Sequence, residues 1–144
     1  MRDIKFRAWL SDGNHKENEQ MIYGDCLDKS LEETMWRKFW SNYHCWMGNI
    51  KELMQYTGLT DSKGIEIYEG DIVRYTFDNL DSVGATENGL KIRTDKIFWS
   101  DWRASFAIGC KMTNTDLFRY IRNGNRVEII GNIYENPELL KAVI

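Results

Sequence analysis

The chain has 144 residues, 42% hydrophobic and 28% charged, a balance that belongs to soluble globular proteins and leaves out disordered and membrane ones. Its formal net charge of −3 argues against a generally basic polyanion binder. No apolar run approaches the ~18 residues of a spanning helix, so no membrane partner is expected, and the length suits one full core or a small barrel with an N-terminal subdomain.

The start, Met1-Arg2-Asp3-Ile4-Lys5, is charged and lacks a signal-peptide stretch, which makes the cytoplasm the expected compartment. Residues 3–10 then alternate, with Ile4, Phe6, Ala8 and Leu10 on one face and Lys5, Arg7 and Trp9 on the other, predicting a half-buried antiparallel strand. Ser11-Asp12-Gly13-Asn14 reads as a turn and Met21-Ile22-Tyr23 as a shorter returning strand. Ser30-Leu31-Glu32-Glu33 fits a capping box, in which the Ser30 hydroxyl accepts from the Glu33 N–H and the Glu33 carboxylate reaches back. Leu31, Met35, Trp36, Phe39, Trp40 and Tyr43 follow at helical spacing, so a helix is predicted over 31–42. Leaving its aromatic rings in water forfeits roughly 2 kcal/mol each. Trp36, Phe39, Trp40 and Tyr43 therefore mark core or, where one copy cannot cover them, a self-association surface.

Cys26, Cys45 and Cys110 are odd in number and far apart, which predicts free thiols and no disulfide framework. His44 beside Cys45 is the one candidate for a soft metal-ligand pair or for a nucleophile with its base; His15 sits apart in a polar turn. Sequence neighbours usually point apart and no orienting third group can be named, so no metal, cofactor or catalytic residue is assigned.

Residues 53–60 read as a strand, and Asp61-Ser62-Lys63-Gly64 is a cluster of turn formers with Gly64 where φ > 0 is commonly needed. Ile65, Ile67 and Tyr68 run into Glu69-Gly70-Asp71, where a glycine inside a β pattern predicts a bulge or bend. Val73, Tyr75 and Phe77 then alternate with Ile72, Arg74 and Thr76, as in a strand that bends on entering a small barrel. Residues 78–90 carry Gly84 and Gly89 among polar residues and predict a mobile hairpin loop. Strands are predicted at Lys91–Trp99, Ser105–Cys110 and Arg126–Tyr134, with Val127, Ile129 and Ile133 sharing a face; residues 115–122 suit a short helix or a strand equally. Asn136-Pro137-Glu138-Leu139-Leu140 predicts a closing helix with Asn136 as N-cap and Pro137 at its first position, placed to close the open end of a barrel.

Three blocks stand out in this order: Ile4-Lys5-Phe6-Arg7-Ala8-Trp9; Gln55-Tyr56-Thr57-Gly58-Leu59 through Tyr68-Glu69-Gly70-Asp71-Ile72-Val73; and Ile130-Gly131-Asn132-Ile133-Tyr134-Glu135-Asn136-Pro137-Glu138-Leu139. In them the chain resembles the YopX family of phage- and prophage-encoded proteins. The resemblance implies a C-terminal SH3-like barrel and a phage or prophage setting inside a bacterial host, and it brings no catalytic residues and no cofactor. The predicted fold class is mainly β, of the α+β kind, with an N-terminal strand-and-helix segment at 1–58 packed on an SH3-like barrel at 59–144. Residues 28–50 and 78–91 match none of the family's blocks.

Charge separates the functional readings. Residues 91–126 hold eight basic residues and three acidic ones, a local +5, with Trp99, Trp102, Phe106, Phe118 and Tyr120 interleaved. Cations neutralise phosphates while rings stack on bases, so Trp99, Trp102, Arg103, Arg119, Tyr120, Arg122 and Arg126 are candidates for holding a single-stranded nucleic acid. The same pattern suits the wet and dry faces of ordinary antiparallel strands. Glu66, Glu69 and Asp71 offer carboxylates for acid–base work or for a cation, although acids at a bend are usually solvated, and no Walker, Gly-x-Ser-x-Gly or His-Glu-x-x-His motif accompanies them. The leading expectation is a non-catalytic, self-associating accessory module that binds a host or phage protein. Nucleic-acid binding is the alternative and acid–base catalysis the second alternative.

Overall fold

The computed structural model describes residues 3–11, 16, 19–24, 50–80, 82–122 and 124–141. Contacts divide the chain into two units, Met1–Gly58 and Leu59–Ile144.

In the first unit, β1 (Phe6–Leu10) lies between β2 (Gln20–Gly24) and β3 (Ile50–Thr60), antiparallel to both. Ala8 sits opposite Ile22 on one side and Leu53 on the other. Ala8, Trp9, Ile22 and Met54 are buried. The predicted wet face of β1 is not wet, since Arg7 and Trp9 are buried as well. Alternation decides which residues share a face, but a strand inside a sheet can be covered on both. The 12–14 turn, the Ser30 capping box, the 31–42 helix with Trp36, Phe39, Trp40 and Tyr43, and also His15, Cys26, His44 and Cys45 lie outside the described residues.

In the second unit, the turn after β3 forms as its residue types demand. Gly64 has φ 82°, its N–H donates to the Asp61 carbonyl at 3.0 Å, and the Asp61 N–H donates to the Ile65 carbonyl at 2.8 Å. β4 (Glu66–Tyr68) follows and is hydrogen-bonded to β3. Five strands then make one antiparallel sheet: β5 (Asp71–Tyr75), β6 (Arg93–Ser100), β7 (Ser105–Gly109), β8 (Asn114–Asp116) and β9 (Glu128–Asn132), in spatial order β8-β7-β6-β5-β9. β5 to β8 form a meander, and β9 returns to the free side of β5. There Ile72 faces Gly131 and Val73 faces Ile129, so Ile130 is an extra residue on β9 and the pair carries a bulge. Both sheets are curled and antiparallel, and the described residues are mainly β.

The core of this unit is Ile67, Val73, Tyr75, Ile97, Ile108, Leu117, Tyr120 and Val127, with Leu59, Phe106, Ile121 and Ile129 packed against it. Ile133 does not continue the Val127–Ile129 face; it lies past β9, where its N–H donates to the Gly70 carbonyl at 2.9 Å. Residues 115–122 combine both predicted structures, with β8 running straight into a 3-10 helix at Leu117–Tyr120. Asp116 caps it by accepting the Phe118 N–H at 3.2 Å, and three-residue spacing drops Leu117 and Tyr120 together into the core.

The bend at Glu69-Gly70-Asp71 is also built differently from an ordinary wet turn. Gly70 has φ 86°, and its N–H donates to the Ile97 carbonyl at 2.8 Å. Asp71 is buried, not solvated, because its Oδ2 accepts the Tyr68 N–H at 2.8 Å and closes the turn from inside. The 78–90 loop, predicted mobile, carries a frame of its own: Asp78 Oδ2 accepts from the Thr86 N–H at 2.9 Å, and the Asp78 N–H donates to the Gly89 carbonyl at 2.8 Å. The C-terminal α-helix, Glu138–Lys141, lies against β6. Asn136 does not cap it with its side chain, whose Oδ1 accepts from the Asn132 N–H at 3.3 Å. No helix among the described residues is long and apolar enough to cross a membrane.

Candidate functional site

The turn joining β6 to β7, residues 101–104, presents the most exposed aromatic ring of the described surface. Trp102 is 87% exposed, and Trp99, at the end of β6, is 46% exposed. Trp99 is held edge-on against Phe106 of β7, its cross-strand partner, at 5.1 Å between centroids and 77° between planes. Ala104 closes the turn with φ 53°, the one non-glycine residue at positive φ among those described. That conformation costs an alanine about 1 kcal/mol.

Behind Trp102 stands Arg103, its guanidinium carbon 5.4 Å from the ring centroid. Arg103 is itself fixed. Its Nε donates to Asn114 Oδ1 and its Nη2 donates to the Asn114 carbonyl at 2.9 Å. Asn114 is held in turn by donating its Nδ2 hydrogens to the carbonyls of Cys110 at 2.9 Å and Lys111 at 3.2 Å. The Trp102 ring is thus backed by a charge whose position the β7–β8 connection sets.

The 3-10 helix lies against β7 and adds Phe118, 49% exposed, with Arg119 beside it. Arg119 and Arg122 are exposed, and their side chains have no hydrogen-bond or ion-pair partner among the described residues. Tyr120 is not on this surface: it is 1% exposed, with its ring 5.1 Å from that of Tyr75. Arg126 is engaged by the fold, donating Nε to the Thr76 carbonyl at 3.2 Å and Nη2 to the Phe77 carbonyl at 3.1 Å. Of the seven nucleic-acid candidates, Trp99, Trp102, Arg119 and Arg122 face solvent, Arg103 backs Trp102, and Tyr120 and Arg126 belong to the packing and hydrogen bonding of the second unit.

The carboxylates Glu66, Glu69 and Asp71 do not converge as a metal site, since no group of three or more His, Cys, Asp or Glu among the described residues is placed to hold an ion. Glu66 Oε2 accepts from the Tyr68 hydroxyl at 3.2 Å, and Asp71 is committed to its turn. Cys110 is a free, exposed thiol. Elsewhere Glu128 lies 2.8 Å from Lys63 and 2.8 Å from Arg74; first the Lys63 and then the Arg74 hydrogen bond holds its carboxyl below the usual range, and Lys63 is raised in return. Burial, reinforced by the 2.7 Å hydrogen bond to Asp95, pushes the Tyr75 phenol well above its ordinary value.

Sequence reasoning missed Asp61. This residue is 2% exposed, and its carboxylate accepts the N–H groups of Lys63 and Ile65, each at 2.9 Å, and of Ile129 at 3.0 Å. The first two bonds follow from an aspartate opening a turn. The third joins β9, and only the fold brings it near.

These features define a small mainly β protein in two units, with Trp99 and Trp102 exposed at the β6–β7 turn and Phe118, Arg119 and Arg122 exposed on and just after the 3-10 helix that lies against β7. The chain belongs to the YopX family: the family described as YopX protein matches residues 5–141. It is similar to protein EF1440 from Enterococcus faecalis, known from a crystal structure, with 22% identity, a TM-score of 0.47, and coverage of 95% of this chain and 97% of that one. Nothing among curated proteins matches the chain.

Proposed function

We propose that this YopX protein is a non-catalytic binding module, an accessory of a phage or prophage acting in the host cytoplasm, whose contact surface is the β6–β7 turn with the neighbouring 3-10 helix. One observation carries the reading: Trp102 stands 87% exposed at the tip of a turn that holds Ala104 at φ 53°. A bulky apolar ring left in water, on a turn that costs the fold energy, fits a contact residue. Leu59–Ile144 is read as an SH3-like barrel, supported by a meander, a 3-10 helix and a last strand returning to the first. That fold hosts many roles, so the site and not the barrel carries the function.

A protein partner, host or phage, is the first reading, and a second copy through Trp36, Phe39, Trp40 and Tyr43 belongs with it. A nucleic acid is the second reading, favoured by Arg119 and Arg122, exposed and without a side-chain partner among the described residues. The test is capture from infected host cells with wild type and Trp102→Ser as baits, each with and without nuclease. A partner held by wild type and lost by the variant supports the reading, with nuclease sensitivity sorting the two ligands. Equal capture by both baits overturns it. Light scattering tests self-association, which a 17.0 kDa species at high concentration would exclude.

A further inference from the structure

The Trp102 surface has a chemistry that narrows its ligand. Its apolar parts are flat rings, Trp102, Trp99 and Phe118, all about half exposed or more. Its free charges are cationic, Arg119 and Arg122, within a stretch of net +5 in a chain of net −3. The three acidic residues of that stretch are already counted in its +5. Asp95 is held by the Tyr75 hydroxyl and Asp116 by the Phe118 N–H.

Resting on the second of those readings, a nucleic-acid ligand, we infer that Trp102, Arg119 and Arg122 act together on a single strand, with a base stacked on Trp102 and backbone phosphates neutralised by Arg119 and Arg122. Stacking needs a ring with an open face, and Trp102 has one. Arg103 lies on it at 5.4 Å, Asn114 fixes Arg103, and 87% of the residue remains accessible. A duplex keeps its base faces stacked inside, so this surface selects unpaired strands. Asn114 is a positioning residue in this scheme, acting through Arg103.

The probe is a fluorescent oligothymidylate, titrated with the full chain over a range of salt concentrations. Wild type should bind at low salt with quenching of tryptophan fluorescence, and the logarithm of the binding constant should fall linearly with the logarithm of salt concentration. Arg119→Gln with Arg122→Gln should reduce that slope by about 1.4, at roughly 0.7 per phosphate contact on a single strand. Trp102→Ser should weaken binding roughly tenfold and leave the slope unchanged. Asn114→Ala should weaken binding in the same way while the slope stays constant, and a matching melting curve shows that its fold survives. Absence of binding at low salt overturns the inference, and so does equal binding by wild type, Trp102→Ser and the double glutamine variant. If the oligonucleotide fails while a nuclease-resistant partner is still lost with Trp102→Ser, the ligand is a protein: this inference falls and the binding module stands.

Discussion

Asp61 Oδ2 accepts the Ile129 N–H at 3.0 Å, tying the turn after β3 to the last strand of the second unit across 68 residues of sequence. The same carboxylate serves Lys63 and Ile65, so three backbone donors depend on one side chain. Asp61→Ala should therefore cost the unit about 3 kcal/mol, since the donors it strands lose partners in a site that is almost dry. Asp61→Asn keeps one acceptor oxygen and should cost less than half as much. Urea unfolding of both variants measures this, and an alanine variant within ~0.5 kcal/mol of wild type would show that water replaces the carboxylate.

The Tyr75–Asp95 pair gives a pH signature. The folded phenol is raised by burial and by Asp95, so the folded state keeps this proton longer than the unfolded chain does. The stabilisation is complete below the unfolded value of ~10 and declines as pH rises from there towards the folded value. Tyr75→Phe should lose about 1 kcal/mol at neutral pH and fall less steeply above pH ~10. Parallel stability–pH curves for the two proteins would contradict the assignment.

Gly70 holds φ 86° while its N–H and carbonyl join Ile97 and Ile133. A Cβ opposes that backbone, so Gly70→Val should destabilise by on the order of 1–3 kcal/mol. Thermal melting decides it, and an unchanged midpoint would mean that the bend relaxes without cost.

Arginines of one stretch should separate by role. Arg126 bonds the carbonyls of Thr76 and Phe77, whereas Arg119 and Arg122 bond none of the described side chains. Arg126→Ala should cost about 1–2 kcal/mol, and Arg119→Gln or Arg122→Gln less than ~0.5 kcal/mol. Equal effects at 122 and 126 would remove the distinction.

Much of this architecture is legible in the residues. The Asp61–Gly64 turn, the Gly70 bend and the strands around them follow from local chemistry, which acts over a few positions and is written in order. What local chemistry does not contain is depth. The period of two places Arg7 and Trp9 together without revealing that their face is buried, and it places Ile129 and Ile133 together because Ile130, the bulge residue, looks like any other strand residue. Asp71 reads as a wet acid until Tyr68 is seen to need an acceptor. The candidate surface divides in the same manner. Trp99 and Trp102 are recognisable as aromatic and Arg119 and Arg122 as cationic, but a tyrosine inside a basic stretch carries no mark of being core, and Tyr120 is 1% exposed.

The return of β9 to β5 also carries a cost in chain entropy. Neighbouring strands from β5 to β8 pair through shorter connections, whereas Arg74 meets Glu128 only across 54 residues, a loop whose closure costs more chain entropy than any hairpin of the meander. β9 is thus the strand of this sheet whose pairing costs the most chain entropy. Asp61 is among the side chains that fasten this strand, so its removal is expected to act on the sheet mainly by loosening β9.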